Sequence, residues 1–204
     1  MSLAVLDWRR RVSEIYREVR DAPSPAAGHA RWRAGREQLL NSHAASPVPP
    51  GERATRLPGR YGLYDPALRF TAELDGEVEP VRWAAETGTD GTVVFERIGR
   101  VHLGAQGSLD VWWLTGYGGG VFVPLRDPNP LTYGGGRYVI DTAKGADLGG
   151  EVDPDTGRGT LVVDLNFAYN PSCAYDPAWA CPLAPEGNHL SVALGGGELH
   201  PATH

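Results

Sequence analysis

Both cysteines of the 204-residue chain, Cys173 and Cys181, lie in one stretch, DLNFAYNPSCAYDPAWACPLAP (164–185), with four prolines and four aromatic residues. Two thiols so placed are open to four chemistries: nucleophile, metal ligand, disulfide or packing. The metal reading rests on Cys173, Cys181 and His189 falling at equal steps. Structural zinc uses tighter cysteine pairs, because close spacing lets one turn present two thiolates. No fourth ligand announces itself, so no metal and no cofactor is expected. A disulfide closing so short a loop would be worth roughly 2.5 kcal/mol by the loop-closure argument. In a reducing compartment it would not persist.

The nucleophile reading takes Cys173 as thiolate, with a histidine such as His102 as base and an Asp or Asn to orient it. Cys173 and Asp164 are then the catalytic candidates. The bland reading of the cysteines is packing, since free Cys is among the most buried residue types. Asp164 and Asn166 sit two apart on an expected strand and share a face. If that face points inward they need partners, and Arg137 is the expected charge partner of Asp164. The outcome is then either an internal structural network or a ligand site. The candidate ligand-binding set is Arg137, Tyr133, Tyr138, Asn166, Tyr169, Asn170 and Asn188. Arg137, opening a strand between Tyr133 and Tyr138, is suited to a carboxylate from the protein or from a small anionic molecule.

Other motifs carry less. TYGGGRYV (132–139) lacks the helix that a phosphate-cradling glycine loop must open, so it reads as a hairpin turn. Lys144 is the only lysine. A Schiff-base role would fall on it, but TAKGADLGG reads as an exposed turn. DPDTG (153–157) lacks the terminal Glu of an EF-hand loop.

The elements that must position these residues follow from periodicity. Trp8, Val12, Ile15 or Tyr16, and Val19 make one apolar helical stripe, with the arginines of that segment largely off it. Asp21-Ala22-Pro23 ends this helix, and Ser24-Pro25 caps a second that carries Trp32, Arg36, Leu39 and Leu40. SPVPPGERATRLPG (46–59) is a proline-rich connection. Beyond Tyr61 the pattern alternates. LRFTAELDG places Phe70, Ala72 and Leu74 on one face, and Asp75-Gly76 signals a hairpin. Further strands are expected at 78–85, 92–97, 100–104, 109–115, 120–125, 137–141, 160–166 and 189–194, separated by TDG, AQG, GYGGG and GGG. Trp112 and Trp113 point to opposite faces. Residues 145–159 suit a mobile loop, and the tail is expected to fray at its end.

These signals specify a mainly β chain: an antiparallel β-barrel or sandwich with two N-terminal α-helices packed outside. One domain is expected over 1–204, with helices in 1–45, the β core in 60–198 and a tail at 199–204. Asn170-Pro171 and Asp176-Pro177 favour turns, so the 164–185 segment is ordered without regular structure and caps one end of the β core.

Composition narrows the partners. Net charge is −6, which disfavours nucleic acid and anionic membrane. No stretch is apolar for the roughly 18 residues a membrane span needs. MSLAVLDWRRR does not read as a secretory leader, so a soluble cytoplasmic protein is expected. A homodimer is compatible with these features.

The same residues carry a resemblance. DLNFAYNPSCAYDPAWACPLAPEGNHL, YDPALRF (64–70), FVPLRDPNPLTYGGGRYV (122–139) and LGGGE (194–198) are similar to the bacterial and archaeal domain of unknown function 1684. HARWRAGREQLLNSHAASPV resembles its actinobacterial members. The resemblance spans residues 5–198 and brings no activity with it. It implies one domain and directs attention to Asp127, Thr132, Tyr133, Gly136, Arg137 and Tyr138, and to Asp164, Asn166, Tyr169, Asn170, Cys173, Cys181, Pro182 and Asn188. His189 departs from it, arginine being usual there.

Two functions fit. One is a small-molecule-binding protein or enzyme with its pocket between the 132–138 turn and the 166–188 loop. The other is a non-catalytic interaction or structural module whose Cys- and Pro-rich loop is a rigid cap.

Overall fold

The computed structural model describes residues 3–88 and 91–201. The expected TDG turn and the end of the tail fall partly on 89–90 and 202–204, outside the described residues. Two helices open the chain, α1 (Leu3–Arg20) and α2 (Pro25–Ser42). Ser24 Oγ accepts from the Ala27 N–H, and Pro25 occupies the first turn, where a missing N–H costs nothing. α1 buries Tyr16 and Val19 from its apolar stripe and ends on Arg17 and Arg20, which suit the negative pole of the helix dipole. The helices pack closely because α2 offers Gly28 and Gly35 to α1. A Cβ at Gly35 would stand 2.8 Å from the Ile15 side chain, and one at Gly28 3.0 Å from the Val19 carbonyl.

Among the described residues eight strands follow: β1 (Arg69–Glu73), β2 (Arg82–Thr87), β3 (Gly91–His102), β4 (Ser108–Leu114), β5 (Gly120–Leu125), β6 (Arg137–Asp141), β7 (Gly150–Val152) and β8 (Gly159–Asp164). β2 to β6 form a five-stranded antiparallel meander, and β1, β8 and β7 form a three-stranded sheet in that order. The chain is therefore mainly β and sandwich-like. The barrel form of the expectation is set aside, because the two sheets do not close on each other. They touch where Asp75 and Arg100 exchange backbone hydrogen bonds, and where Tyr138 and Tyr169 do the same.

Four local expectations are corrected. Asp75-Gly76 is no hairpin: β1 pairs with β8 far along the chain, and Asp75 crosses to β3 instead. The strands expected at 92–97 and 100–104 are one strand with a bulge between Arg97 and Gly99. The bulge is where Leu74 and Asp75 pass, and a Cβ at Gly99 would meet them at 2.5–2.7 Å. Residues 189–194 form no strand. They follow a short 3-10 turn (Glu186–Asn188), and Leu190 N–H reaches Arg126 O. Part of the segment expected to be mobile, 145–159, carries β7.

The main core lies between the sheets, with Val101, Leu109, Val123, Val139, Val163 and Leu165 all essentially without exposure. α1 and α2 pack on a second cluster built on Trp32, Tyr16 and Phe167. Phe95, Trp112, Phe122 and Tyr138 form an aromatic cluster with Trp83. Trp112 is buried while Trp113 is exposed, as strand alternation requires. No helix among the described residues is long and apolar enough to cross a membrane.

Candidate functional site

Hydrogen bonds to Tyr138 fix the loop after β8 at both ends. Tyr169 exchanges two 2.9 Å backbone hydrogen bonds with Tyr138 on β6. On the return, Tyr138 Oη donates to Pro182 O at 2.7 Å. Between these clamps a short turn (Ser172–Ala174) presents Cys173, and the chain comes back past it at Cys181. Proline supplies the stiffness: Pro171 is extended at φ −66°, ψ 163°, and directs the chain into the turn.

The two thiols are free, half-buried and neighbours, each acting on the other's ionisation. This makes them unequal. Cys181 is brought down to about 6, first by the hydrogen bond from Cys173, then by the backbone N–H groups of Cys173 and Ser172 and by the Lys144 ammonium, against the upward pull of burial. Cys173 is pushed well above the ordinary thiol range by that same hydrogen bond and by burial. Tyr133 Oη donates to Cys173 Sγ at 3.5 Å, and burial raises that phenol to about 12. Lys144 remains a cation because Asp141 lies 3.0 Å from its Nζ.

Cys181 forms part of the wall of a cavity of about 110 Å³ between the helices and this loop. Trp8, Val12, Ile15 and Leu39 supply apolar surface from the helices, and Tyr138, Tyr169, Asn170 and Lys144 complete the opposite side. Arg36 also lines it, but its guanidinium is engaged. It donates to Glu198 at 2.7 Å and to Asn170 O at 3.1 Å, and stacks 4.7 Å from the centre of the Tyr169 ring. Among the described residues, two buried polar atoms of the wall lack hydrogen-bond partners, Asn170 Oδ1 and Tyr16 Oη. Tyr16 packs beside Trp32, whose indole is a donor only, so the phenol proton finds no acceptor.

The structure separates the expected site residues into two groups. Tyr138, Tyr169 and Asn170 meet at the cavity, with Tyr133 behind them on Cys173. Arg137, Asp164, Asn166 and Asn188 are fully buried and outside its wall. The expected Arg137–Asp164 pair does not form. Arg137 pairs with Asp127 at 2.7 Å and donates to the carbonyls of Gly196 and Glu198. Asp164 pairs with Arg69 at 3.1 Å and accepts from Asn166, because the β1–β8 register sets Arg69 opposite it. Burial raises Asp164 above the usual carboxylate range against those partners. Asn166 spans to both backbone groups of Asp65. Asn188 accepts from the Trp112 indole at 2.9 Å and donates to Asp110 O and Pro124 O. His189 donates from its ring to Ala184 O at 3.0 Å.

Sequence reasoning singled out neither Tyr16 nor Arg36 for the site and read Lys144 as a turn. A phenol on an otherwise apolar stripe was the available signal for Tyr16, since a buried tyrosine needs a partner for its hydroxyl.

Among curated proteins none matches this chain. The solution NMR structure of an uncharacterized protein from Haloarcula marismortui is similar, with 30% identity over 82% of this chain and 89% of that one and a TM-score of 0.57. The helices that supply the apolar wall precede the span recognised by a family model, residues 60–199, which takes in all eight strands, both thiols and Arg137. The family is described as Protein of unknown function (DUF1684), and the chain belongs to it.

Proposed function

We propose that the chain binds a small organic molecule in the cavity between α1, α2 and the 169–181 loop, with Cys181 as the nucleophile facing it. The observation that carries this reading is the pair of unpartnered polar atoms, Asn170 Oδ1 and Tyr16 Oη, in an otherwise apolar wall. Left unpaired, each buried group costs about 1–3 kcal/mol. A ligand bearing one hydrogen-bond donor and one acceptor offsets that cost, and a small amide has both. At about 110 Å³, against about 10–15 Å³ for one water by the same measure, the cavity holds roughly seven to ten non-hydrogen atoms. An anionic group on the ligand would meet Lys144, since Arg137 lies elsewhere.

The reading keeps the 166–188 loop as one wall and moves the other from the 132–138 turn to the helices. It makes Cys181 the attacking sulfur and leaves Cys173 as its hydrogen-bond donor. The alternative of a structural module accounts well for Arg137, Asp164, Asn166 and Asn188, whose partners are all internal. It gives no reason for the orphaned atoms beside a lowered thiol.

The test is saturation-transfer NMR with benzamide and toluene as probes. Benzamide is expected to bind in preference to toluene, and Val12→Trp, which fills the space, is expected to abolish both signals. No transfer to either probe in the wild-type chain, or equal transfer in V12W, overturns the proposal.

A further inference from the structure

The thiol pair has a chemistry that does not depend on what the cavity holds. Ser172, the neighbour of Cys173, shares the cavity wall with Cys181, which brings the two free cysteines together on one side of the cavity; such a pair holds the two reactants of an intramolecular disulfide and lacks only a two-electron oxidant. Their surroundings assign the order of attack. Cys181 stands on the cavity wall, where a small oxidant reaches it. Cys173 is not part of that wall and is held from behind by Tyr133. The backbone N–H groups of Ser172 and Cys173 reach the Cys181 sulfur as well, so the turn that carries one cysteine supports the anion on the other.

We infer that Cys181 and Cys173 form a hydroperoxide-reducing pair, with Cys181 as the sulfur that attacks the peroxide oxygen and Cys173 as the resolving thiol. The Cys181 thiolate attacks the terminal oxygen of a hydroperoxide. The O–O bond breaks, an alcohol (or water) leaves after taking a proton from solvent, and Cys181 becomes a sulfenic acid. The Cys173 thiol then attacks that sulfur. The S–O bond breaks, the S–S bond forms, and water leaves with the thiol proton. Each sulfur has given up one electron, and together they have reduced one peroxide. A dithiol reductant returns the pair to its starting state by thiol–disulfide exchange. The apolar wall beside Cys181 suits an organic hydroperoxide over hydrogen peroxide.

The full-length protein, reduced and freed of reductant, is exposed to hydrogen peroxide or cumene hydroperoxide and followed by intact mass and peptide mapping. One equivalent is expected to remove two hydrogens and link Cys173 to Cys181. Held mainly as thiolate at neutral pH, Cys181 is expected to react about 3-fold faster than free cysteine, the gain in thiolate being partly offset because nucleophilicity falls with pKa. Cys173→Ser is expected to stop at a sulfenic acid on Cys181 that dimedone traps. Cys181→Ser is expected to react no faster than free cysteine. A wild-type pair oxidised only at the free-cysteine rate overturns the inference, as does Cys181 advancing to sulfinic acid while Cys173 stays a thiol. Benzamide binding is read separately, so a protein that binds benzamide without this oxidation defeats this inference alone.

Discussion

Arg137 and Asp127 form an ion pair sealed from solvent: Nη2 stands 2.7 Å from Oδ2, and neither side chain is more than 1% exposed. The other Asp127 oxygen accepts from the N–H groups of Asn129 and Leu194, and the other Arg137 amine donates to the carbonyls of Gly196 and Glu198. The pair thus staples the closing LGGGE segment to the start of β6. The tail leaves no slack there, since a Cβ at Gly197 would meet Arg137 Nη1 and Ala168 O at 2.7 Å, on a backbone with φ +80°. Glu198 continues the staple, taking hydrogen bonds from Arg36, Tyr175 and the Asn170 N–H. A helix, the loop and the chain end therefore meet on one carboxylate beside the cavity.

Removing one half of this pair leaves an uncompensated charge in the interior. Arg137→Met is expected to cost about 3–5 kcal/mol, the range for a buried pair broken on one side. Urea unfolding at neutral pH measures it. A loss under about 1 kcal/mol would mean that the carboxylate finds water or another donor, and that the staple contributes little.

The unequal thiols predict a reactivity profile. Thiolate is the reactive form, so alkylation of Cys181 by iodoacetamide should run near full rate above about pH 7, be half-maximal near pH 6 and fall below it. The groups that set the midpoint are the Cys173 thiol, the backbone N–H groups of Cys173 and Ser172, and Lys144. Cys173→Ala removes the largest stabilising contact and should move the midpoint upward. Lys144→Gln should move it in the same direction by less. A midpoint that stays at the free-thiol value in the wild type would remove the nucleophile assignment.

The secondary structure was largely legible because it is written locally. The Ser24-Pro25 cap, the α1 stripe and the alternation of β1 each need only a few neighbouring residues. The partner of Arg137 was not legible. Asp127 and Asp164 are both buried carboxylates, and the β1–β8 register puts Arg69 opposite Asp164 while Arg137 pairs with Asp127. The choice of reactive sulfur is likewise tertiary. It depends on which cysteine receives the turn's N–H groups and the lysine, and nothing in the spacing of 173 and 181 carries that. Lys144 reads as an exposed turn residue and is one, yet its ammonium helps set the thiol opposite.

His29 gives acid sensitivity a defined sign. It lies in the aromatic cluster with Trp32, Tyr64 and Phe167 and donates to Asn166 O at 3.0 Å. Burial lowers it to about 4 in the folded chain from its ordinary value of 6.5. Between those values the unfolded chain binds the proton and the folded chain does not, so stability is complete above pH 6.5 and declines toward pH 4. The expected loss is about 2 kcal/mol between pH 7 and pH 5. His29→Gln keeps a donor for Asn166 and should remove that part of the slope. The comparison of the two chains by urea unfolding isolates it from the carboxylates.

Asn188 and Asn170 should separate scaffold from site. Asn188 has all its partners inside the protein, and Asn188→Ala strands the Trp112 indole and the carbonyls of Asp110 and Pro124. That variant is expected to lose about 2–4 kcal/mol of stability, at the usual cost of orphaned buried groups, while Cys181 alkylates at the wild-type rate. Asn170→Ala gives up one bond, to Leu199 O, and also removes an oxygen that had no partner. Its stability cost is expected to stay below about 1.5 kcal/mol, and the preference for benzamide over toluene should vanish. Equal effects of the two substitutions on both readouts would mean that the amide at 170 is scaffold like the amide at 188, and that the cavity recognises nothing through it.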